Sequence, residues 1–205
     1  MEPHLRAGLA IYNAGSYHAA HDAWEAYWLD LDAGTDDEQF LHGLIQFTAA
    51  VYHATERNWG GATGLADSSL DYLDGLGAVY RGVDLAAVRS FLSTLATDPE
   101  VIERRFPPRI AHEGTPVSLS ELSFEEAAVA AEVFAEELGY DETVVERAIE
   151  YARADLDAGQ ETSSFVTLVM DFARDGEHRG IVFQRLTEHV QRRNHRKTDV
   201  EGLFD

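Results

Sequence analysis

Along the first hundred positions apolar residues recur every three or four, the spacing of helices with one buried face. Leu5, Leu9 and Tyr12 keep that spacing up to a break at Gly15, and Pro3 suits a first helical turn. Ser16 is placed to cap a second helix carrying "YHAAHDAWEAYW", residues 17 to 28. "TDDE" at 35 to 38 reads as a capping box, in which Thr35 and Glu38 each satisfy the other's orphan amide. It opens a long helix through Phe40, Leu44, Phe47, Val51 and Thr55. "NWGG" at 58 to 61 ends that helix, and Leu65, Leu70 and Leu73 ride a fourth. Asp84 is placed to cap a fifth, through Leu85, Val88, Phe91 and Leu92.

The pattern is then interrupted. Pro99, Pro107, Pro108 and Pro116 fall within 18 residues, and "RRFPPRIAHEGTPVS" cannot run as one helix. Helical spacing resumes at "SFEE", 123 to 126, a second capping box leading an alanine-rich helix to Gly139. Helices at about 142–157 and 163–174 follow, then a last one from about Glu177 to Arg193. The alternating runs that strands need are scarce. The expectation is an all-α protein with a bundle of about five helices in 1–98. A Pro-rich connection would follow at 99–119, and a helical C-terminal extension at 120–205.

Charge changes the picture of where such a protein works. Of 205 residues 37 are acidic and 16 basic, a formal charge of −21, and Lys197 is the only lysine. Like charge on that scale opposes compaction at low salt. At molar salt the Debye length falls to roughly 3 Å and the repulsion is screened. The surface reads as an adaptation to a salt-rich, halophilic cytoplasm. It argues against anionic membranes and against general nucleic-acid binding, both of which need a basic face. The run "RLTEHVQRRNHRK" gathers Arg185, Arg192, Arg193, Arg196 and Lys197. One reading is a nucleic-acid tail; another is that cations at a helix C-terminus complement its dipole, or dock within the chain or onto a partner chain. No cysteine is present, so disulfides, thiol nucleophiles and thiolate metal sites are excluded. No signal-like start and no apolar stretch near 18 residues occurs, so a cytoplasmic location is expected.

Candidate chemistry lies on two helices. His18, His21, Glu25 and Trp28 are three, four and three apart, one stripe on the second helix. His42, Gln46 and His53 share a stripe on the third. A short loop joins the helices, so they should pack antiparallel. If both stripes point inward, His21, Glu25, His42, Gln46 and His53 meet, with Asn58 at the rim. One reading is a divalent metal, zinc, iron, nickel or manganese, on His21, Glu25, His42 or His53. A second is a small polar ligand touching Trp28, Gln46 and Asn58, or acid–base work by His21 tuned by Glu25. A third is a satisfied hydrogen-bond network that fixes helix register. Trp24 and Trp28 are also expected to seal the core, and Gly60, Gly61 and Gly64 to serve close helix packing. His4, His112 and His178 are expected at the surface. No phosphate-binding loop, dinucleotide fingerprint or nucleophile elbow is present.

"GSYHAAHDAWEAYW", "FLHGLIQFTAAVYH" and "RNWGGATGL" together resemble the domain of unknown function 309 family, over about residues 5 to 80. The resemblance implies a small all-α bundle, here a haloarchaeal member. It picks out His21, Glu25, Trp28, Gly43, Gln46, His53, Asn58 and Gly61, which largely overlap the stripes. Asp22 stands where the family often has glutamate, so a carboxylate there reaches less far. The leading functional expectation is a polar His/Glu/Gln site for a small ligand or divalent metal. If it is catalytic, Glu25 orients or acts as base while His21 and His53 exchange protons. The alternative is a non-catalytic scaffold, a homodimer, whose His/Glu cluster is structural.

Overall fold

The computed structural model describes the backbone of residues 1–201 and the side chains of residues 1–196. It is predominantly helical, with nine α-helices among the described residues. The chain divides into two compact units, Met1–Leu122 and Ser123–Asp205.

The first unit contains α1 (Glu2–Asn13), α2 (Tyr17–Trp28), α3 (Asp36–Thr55), α4 (Trp59–Leu73) and α5 (Leu85–Thr97). Each is long enough only because it buries an apolar face; helices of this length are marginal alone in water. Helix α3 is central, packed between α2 and α4, while α1 lies on α2 and α5 on α4. Leu5, Leu9, Ile11, Trp24, Phe40, Leu44, Phe47 and Val51 are fully buried in this core. Each such side chain contributes about 1.5–3 kcal/mol.

Two glycines set how closely the helices approach. A Cβ on Gly8 would lie 2.1 Å from Nε1 of Trp24. That indole packs on α1 at Gly8 and donates its N–H to the carbonyl of Leu5 at 3.3 Å. A Cβ on Gly43 would lie 2.5 Å from Leu73, and the Gly43 carbonyl accepts the Ser69 hydroxyl at 2.7 Å.

The caps follow the sequence in part. Asp84 accepts the Ala87 amide at 3.1 Å and Thr35 accepts the Glu38 amide at 3.3 Å. The expected return bond from Glu38 to Thr35 is replaced by one from the Gly34 amide at 3.2 Å. Ser16 is the residue before α2 but its side chain makes no capping hydrogen bond. At the start of the second unit Glu126 does accept the Ser123 amide, at 2.7 Å.

The segment 99–119 is folded structure within the first unit. Two hairpins, β1 (Val79–Tyr80) with β2 (Val83–Asp84) and β3 (Ala111–His112) with β4 (Thr115–Pro116), join into one antiparallel four-stranded sheet through Val83 and His112. Both hairpins turn on two residues of positive φ, Arg81–Gly82 and Glu113–Gly114. These are the mirror-image turns whose twist matches that of strands. Asn13, the last residue of α1, clamps the second hairpin. Its amide donates to the carbonyls of Ile110 and Val117, both at 3.0 Å, and its oxygen accepts the Ile110 amide at 2.8 Å. The buried Tyr12 hydroxyl donates to the Pro108 carbonyl at 3.1 Å.

The second unit contains α6 (Phe124–Glu137), α7 (Glu142–Asp157), α8 (Ser164–Arg174) and α9 (Arg179–Glu201). Buried Arg179 closes α8 by donating to the carbonyls of Phe172, at 2.8 Å, and Ala173. Of the C-terminal basic run, Arg193 docks within this unit, donating to Asp155 at 2.7 Å with its guanidinium 4.3 Å from the Tyr151 ring centre. Arg192 pairs with Glu188 along its own helix at 3.5 Å. The Lys197 side chain lies outside the described residues.

Candidate functional site

Helices α2 and α3 run antiparallel, as contacts at both ends of the seam show. The His18 ring lies 5.3 Å from that of Tyr52, and the Trp28 ring 4.6 Å from that of His42. His21 and Glu25 lie between His18 and Trp28 on α2, as Gln46 and Ala49 lie between His42 and Tyr52 on α3. On its other side α3 meets α4, where Tyr72 stacks on His42 with ring centres 3.8 Å apart. The α3 stripe of His42, Gln46, Ala49 and His53 is therefore the floor between two helical walls.

Both stripes share this seam, but neither enters the core. His21, Glu25, Trp28, His42, Gln46 and His53 are all half-buried, and His18 is exposed. The inward face of α2 is taken by Ala19, Ala20, Ala23 and Trp24. Along the seam the polar side chains form three separate groups.

The first is on α2. His21 Nδ1 lies 2.8 Å from the Asp22 carboxylate. One donor atom each from His21, Asp22 and Glu25 can be chosen so that all lie within 4.8 Å of one another. The hydrogen bond to Asp22 holds the His21 pKa above its ordinary value, against the effect of burial and with help from the Glu25 and Asp22 charges. With Nδ1–H directed at a carboxylate, Nε2 keeps its lone pair free in the neutral ring.

The second centres on Glu38. It accepts the Trp28 indole N–H at 2.9 Å and the Gly34 amide, and lies 3.4 Å from His42 Nδ1. Burial pushes its carboxyl pKa upward, but the donors Trp28, Gly34 and His42 outweigh that and hold it below the usual value. His42 Nε2 faces the Gln46 amide nitrogen at 3.4 Å. Gln46 can donate to Nε2, while the buried Nδ1 faces Glu38 without a formed hydrogen bond. This group ties α2, α3 and α4 together.

The third joins the end of α3 to the start of α4. The Asn58 amide donates to His53 Nδ1 at 2.8 Å while its oxygen caps α4 through the Gly61 amide at 3.2 Å. A Cβ on Gly61 would lie 2.7 Å from Asn58 and 3.1 Å from His53, so the motif glycine makes room for this capping pair.

The residues of the two expected stripes thus fall into groups that the fold keeps apart. His42 and His53 have their own partners and are not among the metal-type donors clustered with His21. Asp22 and Glu38 are central here, while the sequence marks them only as a variation on the family pattern and a helix cap. The four-residue spacing of Glu38 and His42 was their one legible signal. Tyr72 carried none.

The other histidines also differ from expectation. His112 is 6% exposed, with Arg6 Nη1 3.1 Å from its Nδ1. His4 is half-buried against Tyr27, and burial, then the N-terminal ammonium, lowers its pKa. His178 is exposed as expected, but it pairs with Asp175 at 2.9 Å.

No helix among the described residues is long and apolar enough to cross a membrane. No curated protein matches the chain. The expected resemblance reaches less far along the sequence than about residue 80, stopping before Tyr72: residues 5–65, the N-terminal part of the chain, match the model of the domain of unknown function family, DUF309.

Proposed function

We propose that the α2 face of the seam binds one divalent metal ion through His21, Asp22 and Glu25. The observation that carries this reading is the grouping of their donor atoms within 4.8 Å. The 2.8 Å between His21 Nδ1 and Asp22 fits it too. Neighbouring ligands of a metal at about 2.1 Å stand about 3 Å apart, so a cation can take the place of the proton these atoms share. Alternatively Nδ1 keeps that proton and donates it to Asp22, which orients the ring and leaves Nε2 and Glu25 as direct ligands. One imidazole with carboxylates suits zinc, iron or manganese. Two or three protein ligands leave open positions for water or a substrate oxygen, the arrangement metal-assisted chemistry uses.

The structural reading is favoured for a different group. Glu38, Trp28, His42, Gln46 and Tyr72 touch one another across three helices and hold them in register. Calorimetric titration with zinc and with manganese separates the two roles. Glu25→Gln should abolish binding and leave unfolding stability within about 0.5 kcal/mol, as for a surface change. Equal metal affinity in Glu25→Gln, or a stability loss above about 1 kcal/mol with no metal bound by the unaltered protein, would refute the assignment.

A further inference from the structure

A pocket of about 280 Å³ lies on the first unit between α1 and the β3–β4 hairpin, away from the α2 seam. Arg6 lines it, in a chain with 16 basic residues against 37 acidic ones. An arginine only donates, so His112 Nδ1 accepts from Arg6 Nη1 at 3.1 Å. The buried ring is fixed by its place on β3, with Nε2 3.7 Å from Glu2. This contact holds one guanidinium nitrogen at the pocket wall.

Two carboxylates face the same space. Glu113 stands on the hairpin turn, exposed and at positive φ. Glu121 is fixed by the Ser118 hydroxyl at 2.7 Å and the Ser118 amide at 2.8 Å, which together hold it in its charged form. The Thr115 hydroxyl lines the pocket and makes no hydrogen bond among the described residues. Pro116 and Val117 supply an apolar side.

We propose that this pocket binds a small zwitterion with the charge pattern of an α-amino acid. Its carboxylate pairs with Arg6 and Thr115, its ammonium with Glu113, and a short apolar side chain lies on Pro116 and Val117. A simple anion would meet two carboxylates as well as one guanidinium, and a simple cation would meet Arg6. A ligand carrying both charges complements both sets, and planar guanidinium suits carboxylate recognition. At roughly 30 Å³ per water, the pocket has room for a molecule of valine size.

Three matched probes test this on the full chain by amide NMR: L-valine, isovalerate, which lacks the ammonium, and isobutylammonium, which lacks the carboxylate. Valine should saturate shifts at residues 112–117 at least tenfold more tightly than either analogue. Arg6→Gln should remove valine binding, and Arg6→Lys should weaken it less. Glu113 is on an exposed turn, so Glu113→Gln keeps the fold; it should weaken valine about tenfold and tighten isovalerate, which no longer meets that carboxylate. Isovalerate binding as tightly as valine would make this an anion site, and isobutylammonium doing so a cation site. Either result, or no saturable shift at the hairpin, overturns the proposal.

Discussion

Replacing Asn13 with alanine removes three hydrogen bonds at once from the clamp on the β3–β4 hairpin. The Ile110 N–H and the carbonyls of Ile110 and Val117 lose their side-chain partner. Ile110 is 2% and Val117 4% exposed, so water reaches these groups poorly without local opening. An unsatisfied buried donor or acceptor costs about 1–3 kcal/mol, and carbonyls tolerate the loss better than amides. The expected net loss for Asn13→Ala is therefore about 2–4 kcal/mol. Asn13→Asp should match it near neutral pH, because a carboxylate accepts from Ile110 N–H but repels two carbonyls. It should recover partly in acid, when the protonated group can donate once. Urea unfolding in molar potassium chloride, followed by tryptophan fluorescence, is the appropriate assay. All three tryptophans, Trp24, Trp28 and Trp59, lie in the first unit and report on it alone. A loss below about 0.5 kcal/mol for Asn13→Ala would refute the clamp.

Two further outcomes are expected. Gly8→Ala should destabilise by about 1–3 kcal/mol despite the better helix propensity of alanine, because its Cβ would overlap the Trp24 indole; red-shifted fluorescence and a lower urea midpoint check this. The raised His21 pKa means the protonated ring is favoured by folding, so its stabilisation is complete below about 6.5 and is lost as pH rises through the folded value. Asp22→Asn should lower the His21 titration midpoint seen by NMR and flatten that pH dependence, and an unmoved midpoint would contradict the hydrogen bond.

The helices were legible because each carries a sustained apolar stripe and a break at its end. Thr35 and Asp84 announced their caps through residue type. Glu38 was misread because a capping box assumes its carboxylate is free to fold back. Here the Trp28 indole, which reaches the seam from another helix, competes for it. The sheet could not be foreseen from alternation, since two-residue strands have none to show. Positive-φ Arg–Gly and Glu–Gly turns were its only mark. Asn13 reads as an ordinary polar end to a helix until the hairpin from residue 110 onward is in place. The stripes on α2 and α3 lie on neighbouring, antiparallel helices. Periodicity gives the angle of a residue around its own helix; it does not give the depth at which that helix is sunk. Buried alanines on α2 draw its inner face into the core and leave His21 and Glu25 half out. The depth decided which histidines meet, and it separated His21 from His42 and His53.

Metal content tests the central claim most directly. Protein purified in molar potassium chloride, without chelator or affinity tag, should carry close to one zinc, iron or manganese per chain by elemental analysis. His21→Ala should lose that metal while His42→Ala keeps it. Metal-free protein that also fails to take up these ions when they are supplied would contradict the account, as would metal retained in His21→Ala.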